Sequence, residues 1–110
     1  MKKNTILYVG RNVEILNTVV RLINANEGWA GVGARDNSVA KALFKENAID
    51  VVLLGAGISE ESEFELRTFF VKVNSNAVVV QHYGGGSGLL MSEINSALFE
   101  LNKKRECYTK

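Results

Sequence analysis

Asp50-Val51-Val52-Leu53-Leu54, closed by Gly55-Ala56-Gly57, is the stretch on which the reading of the fold turns. Four consecutive apolar residues without polar alternation describe a strand buried on both faces, and such strands belong to parallel sheets covered by helices on each side. The run is therefore read as the central strand. Outward from it, Thr5-Ile6-Leu7-Tyr8-Val9, ending at Gly10, and Ala77-Val78-Val79-Val80-Gln81 share its short, β-branched, continuously apolar character. Trp29-Ala30-Gly31-Val32-Gly33-Ala34 reads as a further strand, built of smaller residues.

The intervals between these runs carry helical spacing. From Val13 to Ile23 the apolar residues fall at Ile15, Leu16, Val19, Val20, Leu22 and Ile23, with Asn12 placed to cap the helix. A short helix from Ser38 is expected to turn Val39, Ala42 and Leu43 inward. Ser59 or Ser62 caps a third helix, whose Leu66, Phe69, Phe70 and Val73 repeat at i, i+3, i+4 and i+7. Leu90, Ile94, Ala97, Leu98 and Leu101 mark the last helix, where Lys103, Lys104 and Arg105 sit at the negative dipole end and read as a solvated terminus. Four strands alternating with four helices call for an α/β sandwich of three layers: one parallel sheet, strand order 2-1-3-4, with helices on both faces. Any site then lies beyond the carboxyl ends of the strands, at Gly10-Arg11-Asn12, Asp36, Gly55-Ala56-Gly57 and Gln81-His82-Tyr83.

Composition narrows the function. The length of 110 residues, with 46% hydrophobic and 23% charged content, fits one domain over residues 1–110. Thirteen Lys and Arg nearly cancel twelve Asp and Glu, and a net charge of +1 creates no field to draw nucleic acid or an acidic membrane, so neither is expected as a partner. No apolar run has the length of a membrane span, and Met-Lys-Lys-Asn leads into a strand-like run rather than a signal peptide, so a cytoplasmic location is expected. The single Cys107 excludes an internal disulfide or a Cys-rich zinc site and reads either as an exposed thiol or as a reactive one.

The order of elements, the third strand "DVVLLGA" with its following acidic helix start, and the fourth strand "AVVVQHY" resemble the receiver domains of two-component response regulators over about Lys3 to Tyr83. The resemblance implies a flavodoxin-like fold and a role in signalling. It also implies a chemistry: an acidic pair after the first strand to hold magnesium, an aspartate ending the third to take a phosphoryl group, a hydroxyl ending the fourth and a lysine ending the fifth. Carried over residue by residue, the acidic pair falls on Gly10 and Arg11, the phosphoacceptor on Gly55 and the hydroxyl on His82, or on Gln81 in a shifted register. The lysine has no counterpart, because Gly84-Gly85-Gly86-Ser87-Gly88 stands where the family has a helix and a fifth strand. The two aspartates, Asp36 and Asp50, lie elsewhere.

Other candidate chemistry is sparse. Gly31-Val32-Gly33-Ala34-Arg35-Asp36 begins like a dinucleotide fingerprint but lacks the third glycine, and close helix-sheet packing explains the same small residues. The glycine loop before the last helix gives an anion-binding reading to Arg11, Gly85, Gly86 and Ser87; it has no Gly-Lys-Ser or Gly-Lys-Thr ending, and a connector replacing a deleted strand-helix unit is the alternative. Arg11 either grips such an anion or pairs with Asp36 or Glu14. His82 reads as a hydrogen-bonded structural histidine or as a titrating group at a strand end. Trp29 reads as packing, and Glu60, Glu61, Glu63 and Glu65 as the solvated first turns of a helix. Without a nucleophile, acidic pair or cofactor motif, the expectation is no enzyme, metal or cofactor. The expected role is a phosphorylation-independent regulatory domain acting through protein contacts, with small-molecule or anion binding as the alternative. Val78, Val79 and Val80 form a sheet edge that either stays solvated in a monomer or pairs in a homodimer.

Overall fold

The computed structural model describes residues 4–55, 57–82 and 87–108. The described chain runs β1 (Asn4–Val9), α1 (Val13–Asn24), β2 (Trp29–Ala34), α2 (Asn37–Glu46), β3 (Val51–Leu54), α3 (Glu60–Val73), β4 (Val78–Gln81) and α4 (Ser87–Tyr108). All four strands are parallel, in the order β2-β1-β3-β4, as the sequence pattern requires. The register sets Ile6 beside Val51 and Val51 beside Val78, so β3 lies between β1 and β4 with Val51, Val52, Leu53 and Leu54 all buried.

Strand alternation divides this core into two layers. Ile6, Tyr8, Val51, Leu53 and Val78 face α1 and α4, meeting Val19, Ile23, Leu90, Ile94, Ala97 and Leu101, with Trp29 packed into the same cluster. Leu7, Val9, Val52 and Leu54 face α2 and α3, meeting Ala40, Phe44, Leu66 and Phe70. An aromatic cluster locks the second layer, the Phe44 and Phe70 rings lying 4.5 Å apart and Phe69 edge-on to both.

That cluster corrects two inward faces. In α2 the buried residues are Ala40 and Phe44, with Leu43 packed beside them, while Val39 and Ala42 are exposed. Two overlapping stripes satisfy helical spacing there, and the one that buries a phenylalanine against Phe70 wins, because an aromatic ring removes far more apolar area from water than Val39 does. In α3 Leu66 and Phe70 are buried and Phe69 partly so, but Val73, the last residue of the helix, is exposed. The caps are local and polar: Asn12, Asp36 and Ser59 accept hydrogen bonds from the N–H groups of Ile15, Val39 and Ser62. Asp36 thus starts α2 one residue earlier than Ser38, and β4 starts at Val78 rather than Ala77.

Gly31 and Gly33 prove to be packing residues. A Cβ at Gly31 would stand 2.9 Å from Ile23 Cγ2, and one at Gly33 would stand 2.8 Å from Leu16 Cδ2, so their bareness lets α1 settle against β2. Trp29 is buried, in keeping with a packing role.

Candidate functional site

At the carboxyl edge of the sheet, one residue beyond each strand, the ladder hydrogen bonds continue. Gly10 N donates to Ala34 O (3.0 Å), Gly55 N to Val9 O (2.7 Å) and His82 N to Leu54 O (2.8 Å). These bonds bring Gly10, Gly55 and His82 side by side in one row, and all three are buried. The turn leaves β3 through Gly57, whose φ of +87° suits a residue without a Cβ.

The space in front of the two glycines is filled from β1. A Cβ at Gly10 would lie 2.6 Å from Tyr8 Cε2; one at Gly55 would overlap the Tyr8 hydroxyl oxygen and lie 2.7 Å from Cζ. The Tyr8 ring therefore occupies the ground over which side chains at positions 10 and 55 would extend. The ring is itself buried and stands edge-on to His82, their centroids 6.0 Å apart. His82 Nδ1 in turn meets Glu93 Oε1 of α4, a pair almost fully removed from water that ties the end of β4 to the last helix.

Burial raises the Tyr8 phenol above its ordinary value near 10, because the phenolate would lose its hydration. A raised folded-state value means that the neutral ring contributes its full stability below pH 10 and loses it as pH rises through and beyond 10. Absorbance titration at alkaline pH is expected to show a delayed ionisation that disappears in Tyr8→Phe; a phenol titrating at its ordinary value would contradict the buried ring.

Arg11 is engaged away from this row. Its guanidinium donates to the Arg35 carbonyl (3.0 Å) and to Asn37 Oδ1 (2.8 Å), fastening the end of β1 to the start of α2. Pairing with Asp36 or Glu14 is thereby corrected: Asp36 is spent on the α2 cap, which holds its carboxylate on Val39 N, and Arg11 finds neutral acceptors on either side of it. Asp50 accepts from Thr5 N at the opposite end of the sheet. Gly85 and Gly86 lie outside the described residues, and Ser87 opens α4 with its side chain outside them. In the acidic start of α3, Glu63 pairs with Arg67 and Glu65 with Lys41 of α2, whose hydrogen bond and charge hold the Glu65 carboxyl below the usual range. Among the described residues no three His, Cys, Asp or Glu side chains gather closely enough to hold a metal ion, and no helix is long and apolar enough to cross a membrane.

Two members of this site escape the sequence pattern. Tyr8 reads only as a strand residue, and its spacing does not tell that its ring covers the glycines ending its own strand and β3. Glu93 carries no such signal, since it lies eleven residues from His82 on a different element and meets it only in the folded chain.

No family model matches the chain, and no curated protein matches it. Among solved structures the chain is similar to the crystal structure of a signal receiver domain of an HD domain-containing protein from Pseudomonas fluorescens Pf-5, with a TM-score of 0.67 and 15% identity over 96% of this chain and 94% of that one. The likeness establishes the class of fold: this chain has the flavodoxin-like architecture of a signal receiver domain.

Proposed function

We propose that the chain is a receiver-like regulatory domain that takes no phosphoryl group and works through protein contacts. The observation that carries this reading is the Tyr8 ring lodged over Gly10 and Gly55. In a receiver those positions hold metal-binding and phosphoryl-accepting carboxylates; here they hold no side chain, and the volume they would need is taken by an apolar ring. Glycine offers no nucleophile, Arg11 stands in place of a carboxylate with its guanidinium fastened to Arg35 O and Asn37, and phosphoryl transfer depends on positioned charges that are missing from this row. A scaffold kept with such a filled site has its surfaces left to act with.

Incubation with acetyl phosphate and magnesium is expected to leave the intact mass unchanged, and magnesium is expected to leave the melting temperature where it was, since a ligand of the folded state would raise it. A stable adduct of one phosphoryl group would overturn the reading. Phosphate and nucleotides belong in the same melting series, because a rise with either would favour the anion-binding alternative instead.

A further inference from the structure

β4 is an edge of the described sheet, and its sequence does not guard that edge: Val78-Val79-Val80 carries no charge, and its register with β3 is continuous. Val78 N donates to Asp50 O (3.0 Å) and His82 N to Leu54 O (2.8 Å), so the even-numbered residues turn their polar groups toward β3. Alternation turns the N–H and C=O groups of Val79 and Gln81 the other way, to the side away from β3, where no strand lies among the described residues. Grooves flank that side on both faces of the sheet. A groove of about 540 Å³ runs between Val80 and α4, bordered by Phe99, which is 63% exposed. Across the strand, Val71 of α3, 58% exposed, borders a second, more polar groove beside Val79, which Arg67 and Glu100 also line.

We propose that β4 pairs antiparallel with β4 of a second copy of this chain, about a two-fold axis opposite Val80, joining the two sheets into one. The proposal names the partner of the protein-contact reading above and rests on it. The outward groups fix the register. With the axis at Val80, Val79 of each copy lies opposite Gln81 of the other, and every outward N–H and C=O of both residues finds a partner. An axis at Val79 would instead set Gln81 against Ala77, whose N–H is already given to Asn74 O (3.2 Å).

Charge permits the same occupant. Glu100 and Lys103 border the α4 groove within one turn of each other, so this face carries both signs, while Glu93 is spent on His82. The two-fold axis lays the two α4 helices antiparallel, so that two faces of mixed sign meet with no concentration of one charge between them. Glu93 meets His82 and Arg67 meets Glu63 within each chain, and a net charge of +1 leaves little repulsion between copies.

Val80 facing its own mate in a non-hydrogen-bonded antiparallel pair would have Cα atoms roughly 4.5 Å apart, whereas Val79 and its mate would be diagonal neighbours at roughly 7–8 Å. Only the first lies inside the roughly 4.4–6.8 Å that a disulfide spans. In a Cys107→Ser background, Val80→Cys is therefore expected to form a disulfide-linked dimer under mild oxidation at least tenfold faster than Val79→Cys. Light scattering of the unaltered chain at micromolar concentration should give the mass of two chains. Phe99→Glu, at an exposed position that the fold does not need, should give the mass of one chain with an unchanged circular dichroism spectrum. A single-chain mass for the unaltered protein, or equal cross-linking at the two positions, overturns the pairing. A monomer that still takes no acyl phosphate leaves the filled-site reading standing, and a dimer that does take it reverses that outcome.

Discussion

Gly55→Asp, the substitution that would restore a receiver's phosphoryl acceptor, is expected to lower stability by about 2–6 kcal/mol and to gain no phosphoryl transfer. Overpacking a filled site costs about 1–3 kcal/mol, and a carboxyl group set against an aromatic ring without new donors adds roughly 1–3 kcal/mol for lost solvation in its protonated form, the form burial favours. The neighbours are poorly placed to yield. The Tyr8 ring is hemmed in by His82 on one side and by the bare Gly10 backbone on another, and the Val9 carbonyl stands 3.1 Å from the position the new Cβ would take. At about 4 °C per kcal/mol for a domain of this size, the melting temperature should fall by on the order of 15 °C. The decisive measurement is a double-mutant cycle with Tyr8→Leu, which removes the ring from the contested space. Tyr8→Leu alone should cost about 1–3 kcal/mol for the cavity it leaves, and the double mutant should be more stable than the sum of the two losses by at least about 1 kcal/mol. Additive losses would show that Tyr8 and position 55 do not compete for the same volume.

The sheet was legible because its strands are extreme. Val51 to Leu54 has no polar residue to alternate, so a strand buried on both faces is the consistent choice, and its neighbours follow from the two-face pattern of Ile6 and Tyr8 against Leu7 and Val9. Helix faces were harder wherever two stripes competed. Val39 with Ala42 and Ala40 with Phe44 both obey the helical period, and the decision came from Phe69 and Phe70 on another helix, which no local window contains. The site divides in the same way. Gly10 and Gly55 could be placed by strand ends alone, since each is the first residue after an apolar run, whereas the polar Gln81 left the end of β4 open between Gln81 and His82 until the ladder bond of His82 N fixed it. What fills the site could not: Tyr8 acts across β1 on two strand ends at once, and Glu93 reaches His82 from α4. Arg11 shows the limit from the other side, because opposite charge suggested Asp36 while the helix cap had already claimed that carboxylate.

Gly31→Val is expected to cost about 3 kcal/mol, against the direction that strand propensity alone would give. In a strand, valine is favoured over glycine by up to ~1 kcal/mol, and replacing a glycine of ordinary backbone conformation removes unfolded-state entropy worth about 0.4–1 kcal/mol. Gly31 has no positive φ, so both terms apply in full. They are outweighed by what the side chain would meet: Ile23 Cγ2 at 2.9 Å, Ile23 Cβ at 3.0 Å and the Val20 carbonyl at 3.3 Å from the first carbon alone. Ile23 is fully buried and the carbonyl is helix backbone, so neither can swing aside. Relief requires α1 to lift from β2, which uncovers Val19 and Ile23 to water at roughly 25 cal/mol for each Å² exposed. Gly28→Ala supplies the control, since its Cβ would meet only Asn26 Oδ1 at an ordinary 3.5 Å and its residue is exposed; it should be neutral or stabilising by up to about 1 kcal/mol. Urea unfolding of the two variants beside the parent measures the difference directly. If Gly31→Val is as stable as Gly28→Ala, the bare stripe on β2 is not a packing device, and the dinucleotide reading of Gly31-Val32-Gly33 regains its claim, to be met by melting the parent chain with and without a nicotinamide dinucleotide.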